Sequence, residues 1–142
     1  MRRADDCSIA ATLSFVGDRW SLLILRDVFR GVHRFADLCV DLHIARNVLA
    51  DRLDKLVDAG ILERVPYQER PLRHEYRLTA KGRDLSPALV ALMRWGDRWA
   101  NEGDPPTLLV HDACGTELEQ LLRCPTCEVE VTPTHIRSRH PA

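Results

Sequence analysis

The chain has 142 residues, 45% of them apolar and 29% charged, with a formal net charge of −1, which suits one domain or one domain plus a small appendage and excludes a disordered acidic or basic tail. The charge is unevenly spread: residues 1 to 100 hold 17 Lys/Arg against 14 Asp/Glu, a balance of +3, and residues 101 to 142 hold 3 against 7, a balance of −4. Such a balance is low for a protein that grips nucleic acid by charge alone, so composition does not announce that partner.

Apolar runs such as Leu22 to Leu25 fall far short of a membrane span, and Met1 to Asp6 lack the apolar core of a signal peptide. The expectation is a cytoplasmic chain with no membrane partner. Five cysteines, an odd number, then point to metal or thiol chemistry more than to a disulfide framework.

Ser8 to Val16 reads as a first helix, with Ile9, Leu13 and Val16 on one face and Gly17 at its end. Asp18 caps a second, R-W-S-L-L-I-L-R-D-V-F-R, which is apolar nearly all round and is expected at the centre with Trp20 in the core. Arg34 to Leu42 reads as a third, with Phe35, Leu38 and Leu42 on one side and Cys39 as a small buried apolar residue.

The fourth, from Ile44 to Gly60, carries the functional argument. Leu49, Leu53, Leu56 and Val57 fall on one stripe, while Asn47, Asp51, Asp54 and Asp58 point away from it. Short gaps make helices three and four a helix-turn-helix. Arg46, Asn47, Ala50, Asp51, Arg52 and Lys55 then offer side chains of the kind that contact phosphates and base edges in a major groove. A plain surface helix would show the same amphipathic pattern, so its neighbours decide.

After Gly60 the pattern becomes extended, and two strands joined by a loop containing Pro71 predict a β-hairpin whose tip carries Arg70, Arg73 and His74. With Arg34 and Arg64 nearby, such a hairpin is placed to lie on a phosphate backbone or in a minor groove. A helix-turn-helix followed at once by such a hairpin is a winged helix.

Thr79 is expected to cap a last helix running to Trp99. Either Pro87 kinks it or Ser86 caps a fresh start. Leu92, Trp95 and Trp99, with Ile9 and Leu13 of the first helix, form an apolar surface suited to a two-fold dimer, the other reading being packing within one subunit.

Residues 1 to 100 are thus expected to be a DNA-binding and dimerisation domain, 101 to 106 a linker, N-E-G-D-P-P, and 107 to 142 a tail. In that tail His111, Cys114, Cys124 and Cys127 form two pairs, each with two residues between, the spacing of a small Cys₃His zinc knuckle or ribbon. Such a tail has too little core to fold unaided, and a structural zinc would supply the missing stability. A metal-free hairpin docked on the dimer is the alternative. His135 and His140 are unremarkable.

Taken together, Cys7 ahead of the first helix, G-D-R-W-S-L-L-I-L-R-D at 17 to 27, R-F-A-D-L at 34 to 38, L-A-D-R-L-D-K-L-V-D-A-G-I-L-E-R at 49 to 64 and Y-R-L-T-A-K-G at 76 to 82 resemble the HxlR family of winged-helix regulators, relatives of the MarR type. The resemblance covers about residues 7 to 100. It implies a mainly α-helical winged helix-turn-helix, a cytoplasmic homodimer bound to a pseudo-palindromic operator, and a dimer built from the first and last helices.

Departures from the family pattern bear on specificity. Ala45 and Arg46 stand where Ser and Pro are usual, and losing a Ser cap costs about 1 kcal/mol. Asn47, Ala50 and Asp51 replace the common Lys, Thr and Gln, so they would read adenine, a thymine methyl and a cytosine amino group respectively. Some longer relatives carry a similar tail, with glycine where Glu128 stands here.

Relatives that sense oxidants imply the same role for Cys7, whose thiol Arg2 and Arg3 would activate and Asp5 and Asp6 oppose. The expected function is a sequence-specific DNA-binding repressor that answers to a small-molecule or oxidant effector. The alternative is a winged-helix protein-interaction module with a docked tail. An enzyme is not expected: no phosphate-binding glycine loop, carboxylate pair or open zinc site is in evidence.

Overall fold

A computed structural model describes residues 7–139, in which four helices, a two-stranded hairpin and two further helices follow one another. Helix α1 (Ser8–Val16) ends at Gly17, whose N–H donates to the Leu13 carbonyl at 2.8 Å. Helix α2 (Arg19–Phe29) starts at Asp18, which accepts the N–H groups of Trp20 and Ser21 at 3.0 Å each and so satisfies two otherwise orphaned donors. Ile24, Leu25 and Val28 lie in the core, and Trp20 is half-buried at its edge instead of inside it.

Helix α3 (Phe35–Leu42) buries Leu38 and Leu42, closes on left-handed His43, and leads into α4 (Arg46–Asp58). As the spacing predicts, Leu49, Leu53 and Leu56 are fully buried, Val57 is half-buried, and Asn47, Asp51, Asp54 and Asp58 are exposed. Each of the three leucines contributes about 1.5–3 kcal/mol by leaving water. That burial fixes which face of α4 looks outward.

The hairpin pairs β1 (Leu62–Glu69) with β2 (Leu72–Leu78), from Leu62 opposite Leu78 to Glu69 opposite Leu72, with an irregularity between Pro66 and Gln68 that leaves Tyr67 as a bulge. Its tip is only Arg70 and Pro71. Contrary to expectation, Arg73 and His74 lie in β2, opposite Gln68 and Pro66, because strand pairing continues to the last two residues before the turn. The Tyr76 N–H donates to the His33 carbonyl at 2.8 Å and ties the wing to the segment before α3.

Thr79 caps a separate short helix, α5 (Ala80–Arg83), accepting from the Gly82 N–H at 3.1 Å. Gly82 sits against the residue just before β1, where a Cβ would lie 2.2 Å from the Ile61 carbonyl oxygen, so the K-G step of the sequence is a packing requirement. Helix α6 (Ser86–Trp99) is a fresh start with Pro87 as its second residue, which resolves the choice between a kink and a new helix. Pro needs no N–H there.

By contacts the chain forms two compact units, one up to Leu89 and one from Val90 on. The first holds α1 to α5 and the whole buried core; the second holds most of α6 and the tail. Among the described residues no single helix is long and apolar enough to cross a membrane.

Candidate nucleic-acid interface

Helix α4 begins without a side-chain cap, since Ala45 has none to offer, and its first-turn N–H groups have no side-chain acceptor from the cap position. Arg46 at that end stacks over the Phe35 ring, 4.9 Å from its centre, which holds the guanidinium at the α3–α4 junction. Asn47 is exposed one residue further on, and Ala50 is half-buried.

The charged residues of α4 are not all equally free. Lys55 lies 3.2 Å from Asp51, an i, i+4 pair on the outer face. Arg52 instead turns inward: it is 29% exposed and its Nε lies 3.4 Å from Asp18 Oδ1. The α2 cap thereby also anchors the recognition helix. Burial pushes the Asp18 carboxyl up, but the hydrogen bonds from Ser21 and Trp20 and the charge of Arg52 outweigh it and hold the group below its ordinary value.

The wing is braced in a similar way. Arg64 contacts Asp54 of α4 and sits over the Tyr76 ring, joining helix to hairpin. Arg34 stacks on Tyr67 at 4.0 Å and reaches Glu75 at 3.3 Å, with Arg77 on the same carboxylate at 2.6 Å. Arg70 and Arg73 are exposed and make no ion pair among the described residues, and His74 is half-buried in the strand. Among the predicted cations, Arg34, Arg52 and Arg64 thus pair with carboxylates of other elements, with only Arg52 half-buried, whereas Arg46 makes a ring contact, Lys55 pairs within α4, and Arg70 and Arg73 make no ion pair among the described residues.

Two residues escaped the sequence reading. Tyr67 looks like any strand aromatic, but the bulge turns it into the platform for Arg34. Asp27, in the central helix α2, is fully buried beside Arg26 (2.8 Å), with Arg30 at 3.5 Å and one carboxylate oxygen unpartnered, and burial raises its pKa. The only hint in the sequence was a charge in an apolar run.

Cys7 is exposed at the N-terminus of α1, where the backbone N–H groups of Ala10 and Ile9 lower its thiol pKa. Arg2, Arg3, Asp5 and Asp6, invoked above for that thiol, lie outside the described residues, as does His140. Cys39 is half-buried against the core. The apolar side chains expected at a dimer interface are open: Ile9 and Leu13 on α1, Leu92, Trp95 and Trp99 on α6, the last three 55–66% exposed. Between α1 and the β1–α5 side of the winged core lies a crevice of about 230 Å³, lined by Phe15, Val16, Ile61, Lys81 and Leu85 among others.

In the tail, His111 and Cys114 share one tight turn and Cys124 and Cys127 another, and the Asn101 to Pro106 segment is irregular. Among the described residues no three His, Cys, Asp or Glu side chains converge on one point.

Comparison with known proteins places this geometry in a family. The model of the HxlR-like helix-turn-helix family matches residues 15–104. The uncharacterised HTH-type transcriptional regulator Rv3095 of Mycobacterium tuberculosis is 46% identical over 130 residues, 91% of this chain and 82% of its own length. Among solved structures, PA1607, described as a candidate transcription factor, superposes with a TM-score of 0.87 at 35% identity over 97% of both chains. The redox regulator HypR in its oxidised form superposes at 0.62 with 28% identity, over 68% of this chain and all of its own. The tail is therefore shared with some relatives and lies outside the match with others. On the family match and the winged-helix geometry together, the chain belongs to the HxlR-like helix-turn-helix family of transcriptional regulators.

Proposed function

We propose that the chain acts as a cytoplasmic homodimeric repressor that binds a pseudo-palindromic operator, each α4 reading a half-site and each wing resting on flanking phosphate. The observation that carries this is the uncapped start of α4, with Asn47 facing out, in the same unit as a wing whose Arg70 and Arg73 have no counter-ion among the described residues. Asn47 fits adenine, Ala50 a thymine methyl, Asp51 a cytosine amino group, and Lys55 phosphate. Arg34, Arg52 and Arg64 serve by holding the wing and α4 at a set angle.

Two-fold symmetry puts the half-sites about 34 Å apart, one helical turn. The open face of α1 and the open face of α6 are each available to a second copy. An effector in the crevice beside α1, or oxidation of Cys7 at its N-terminus, would move α1 against the winged core and change the spacing of the two recognition helices. The name of HypR, a redox regulator, supports the oxidant version.

Fluorescence anisotropy with the intergenic DNA upstream of the gene, against scrambled DNA over a salt series, tests the reading. Preference for the native sequence by about 10³ or more with a steep salt slope is expected. Arg73→Ala should weaken binding to every sequence and reduce the salt slope by about 1, whereas Asn47→Ala should relax preference at one base pair by about 1–3 kcal/mol. Equal, weak, salt-insensitive binding would overturn it.

A further inference from the structure

Between residues 90 and 139 no side chain is buried, and from residue 107 on only Leu109, Cys124 and Val131 are even half-buried. Yet the backbone of this coreless segment is regular, and it is regular twice. In the first turn Val110 bridges Glu117, the His111 N–H donates to the Thr116 carbonyl at 2.8 Å and the Leu118 N–H to the Leu109 carbonyl at 2.8 Å. In the second, Arg123 bridges Glu130, the Cys124 N–H donates to the Val129 carbonyl at 3.0 Å and the Val131 N–H to the Leu122 carbonyl at 2.8 Å.

The bends agree as well. The Gly115 N–H donates to the His111 carbonyl at 2.7 Å, and the Glu128 N–H to the Cys124 carbonyl at 2.9 Å. Gly115 has φ 71° and Glu128 φ 59°. A left-handed glutamate is unfavourable, and here it keeps the second turn the same shape as the first. Every one of these contacts recurs thirteen residues later, so His111 corresponds to Cys124 and Cys114 to Cys127.

The residues at the first and fourth positions of both turns are metal donors, and they are presented as pairs. His111 Nδ1 stands 3.3 Å from Cys114 Sγ, a separation that suits two corners of a tetrahedron. The Cys127 N–H donates to Cys124 Sγ at 3.5 Å, the kind of bond that supports a thiolate in a knuckle. All three cysteines are free. The donors stand as two pairs, and the step from pairs to a site is closure of one turn on the other.

We propose that the two turns are the halves of one structural zinc site, in which His111, Cys114, Cys124 and Cys127 close tetrahedrally on a single ion. One imidazole and three thiolates are a donor set for zinc more than for magnesium or calcium, and four protein ligands leave no open position for catalysis. Binding releases the three thiol protons to solvent and leaves the site at −1. The ion takes the place of the core that the segment lacks.

The test uses the full chain, produced in zinc-supplemented medium and dialysed against metal-free buffer. Elemental analysis should find about one zinc per chain, and cobalt(II) exchanged into the protein should show the intense visible bands of a tetrahedral thiolate site. Cys114→Ser and Cys124→Ser should each lose the metal, while Cys7→Ser and Cys39→Ser keep it. Circular dichroism of the winged helix serves as the check that each variant folds. A chain that takes up neither zinc nor cobalt, or Cys114→Ser and Cys124→Ser variants that hold metal as the parent does, would overturn the site. So would a Cys124–Cys127 disulfide in the freshly isolated protein. None of these outcomes depends on DNA binding.

Discussion

At the scale of single residues, Asp18 does three things at once. It caps α2, accepts the Ser21 hydroxyl and receives Arg52 from the recognition helix. Asp18→Ala should therefore cost more than the roughly 1 kcal/mol of a lost cap, because half-buried Arg52 loses the nearer of its two carboxylates and keeps only Asp51 at 3.8 Å. The folded pKa lies below the ordinary 3.8, so the stability that Asp18 gives is fully present above that pH and is lost as pH falls through the folded value. Denaturant melts across that window should show the parent losing stability while the alanine variant changes less; parallel curves would remove Asp18 from this role. Its cap was legible from one Asp before an apolar run, whereas its second partner, 34 positions away, was not.

At the scale of elements, the junction of α5 with the segment that leads into β1 is held by a missing side chain. Gly82→Ala would drive a methyl into the Ile61 carbonyl, and overpacking of this kind costs about 1–3 kcal/mol. A fall in Tm with native-like circular dichroism is the expected result, and an unchanged Tm would mean that α5 is free to shift. The helices of the winged core were legible because their apolar period survives in the sequence: α1 begins and ends where Ser8 and Val16 predict, and α4 buries the three leucines that its stripe names. The wing tip was less so. Alternation marks a strand but not where pairing stops, so Arg73 and His74 were expected in a turn that the chain confines to Arg70 and Pro71.

At the scale of the whole molecule, apolar side chains are left open on two helices, α1 and α6, and in the homodimer proposed above a second copy covers them. Trp95→Glu should shift the protein from dimer to monomer in analytical ultracentrifugation at micromolar concentration and weaken operator binding by far more than an Asn47 substitution does. A dimer that persists would move the interface elsewhere. By itself, the sequence determined what depends on neighbours along the chain: helix periods, the Asp18 cap, the hairpin, the order of elements that resembles a winged helix, and the spacing of the two ligand pairs. Only the tertiary structure decided which cations tie one element to another, that Tyr67 supports Arg34, that Asp27 is buried, and that the tail repeats one turn twice. Those outcomes depend on contacts between residues far apart in sequence, or on backbone conformations such as that of Glu128, and neither leaves a periodic mark in the chain.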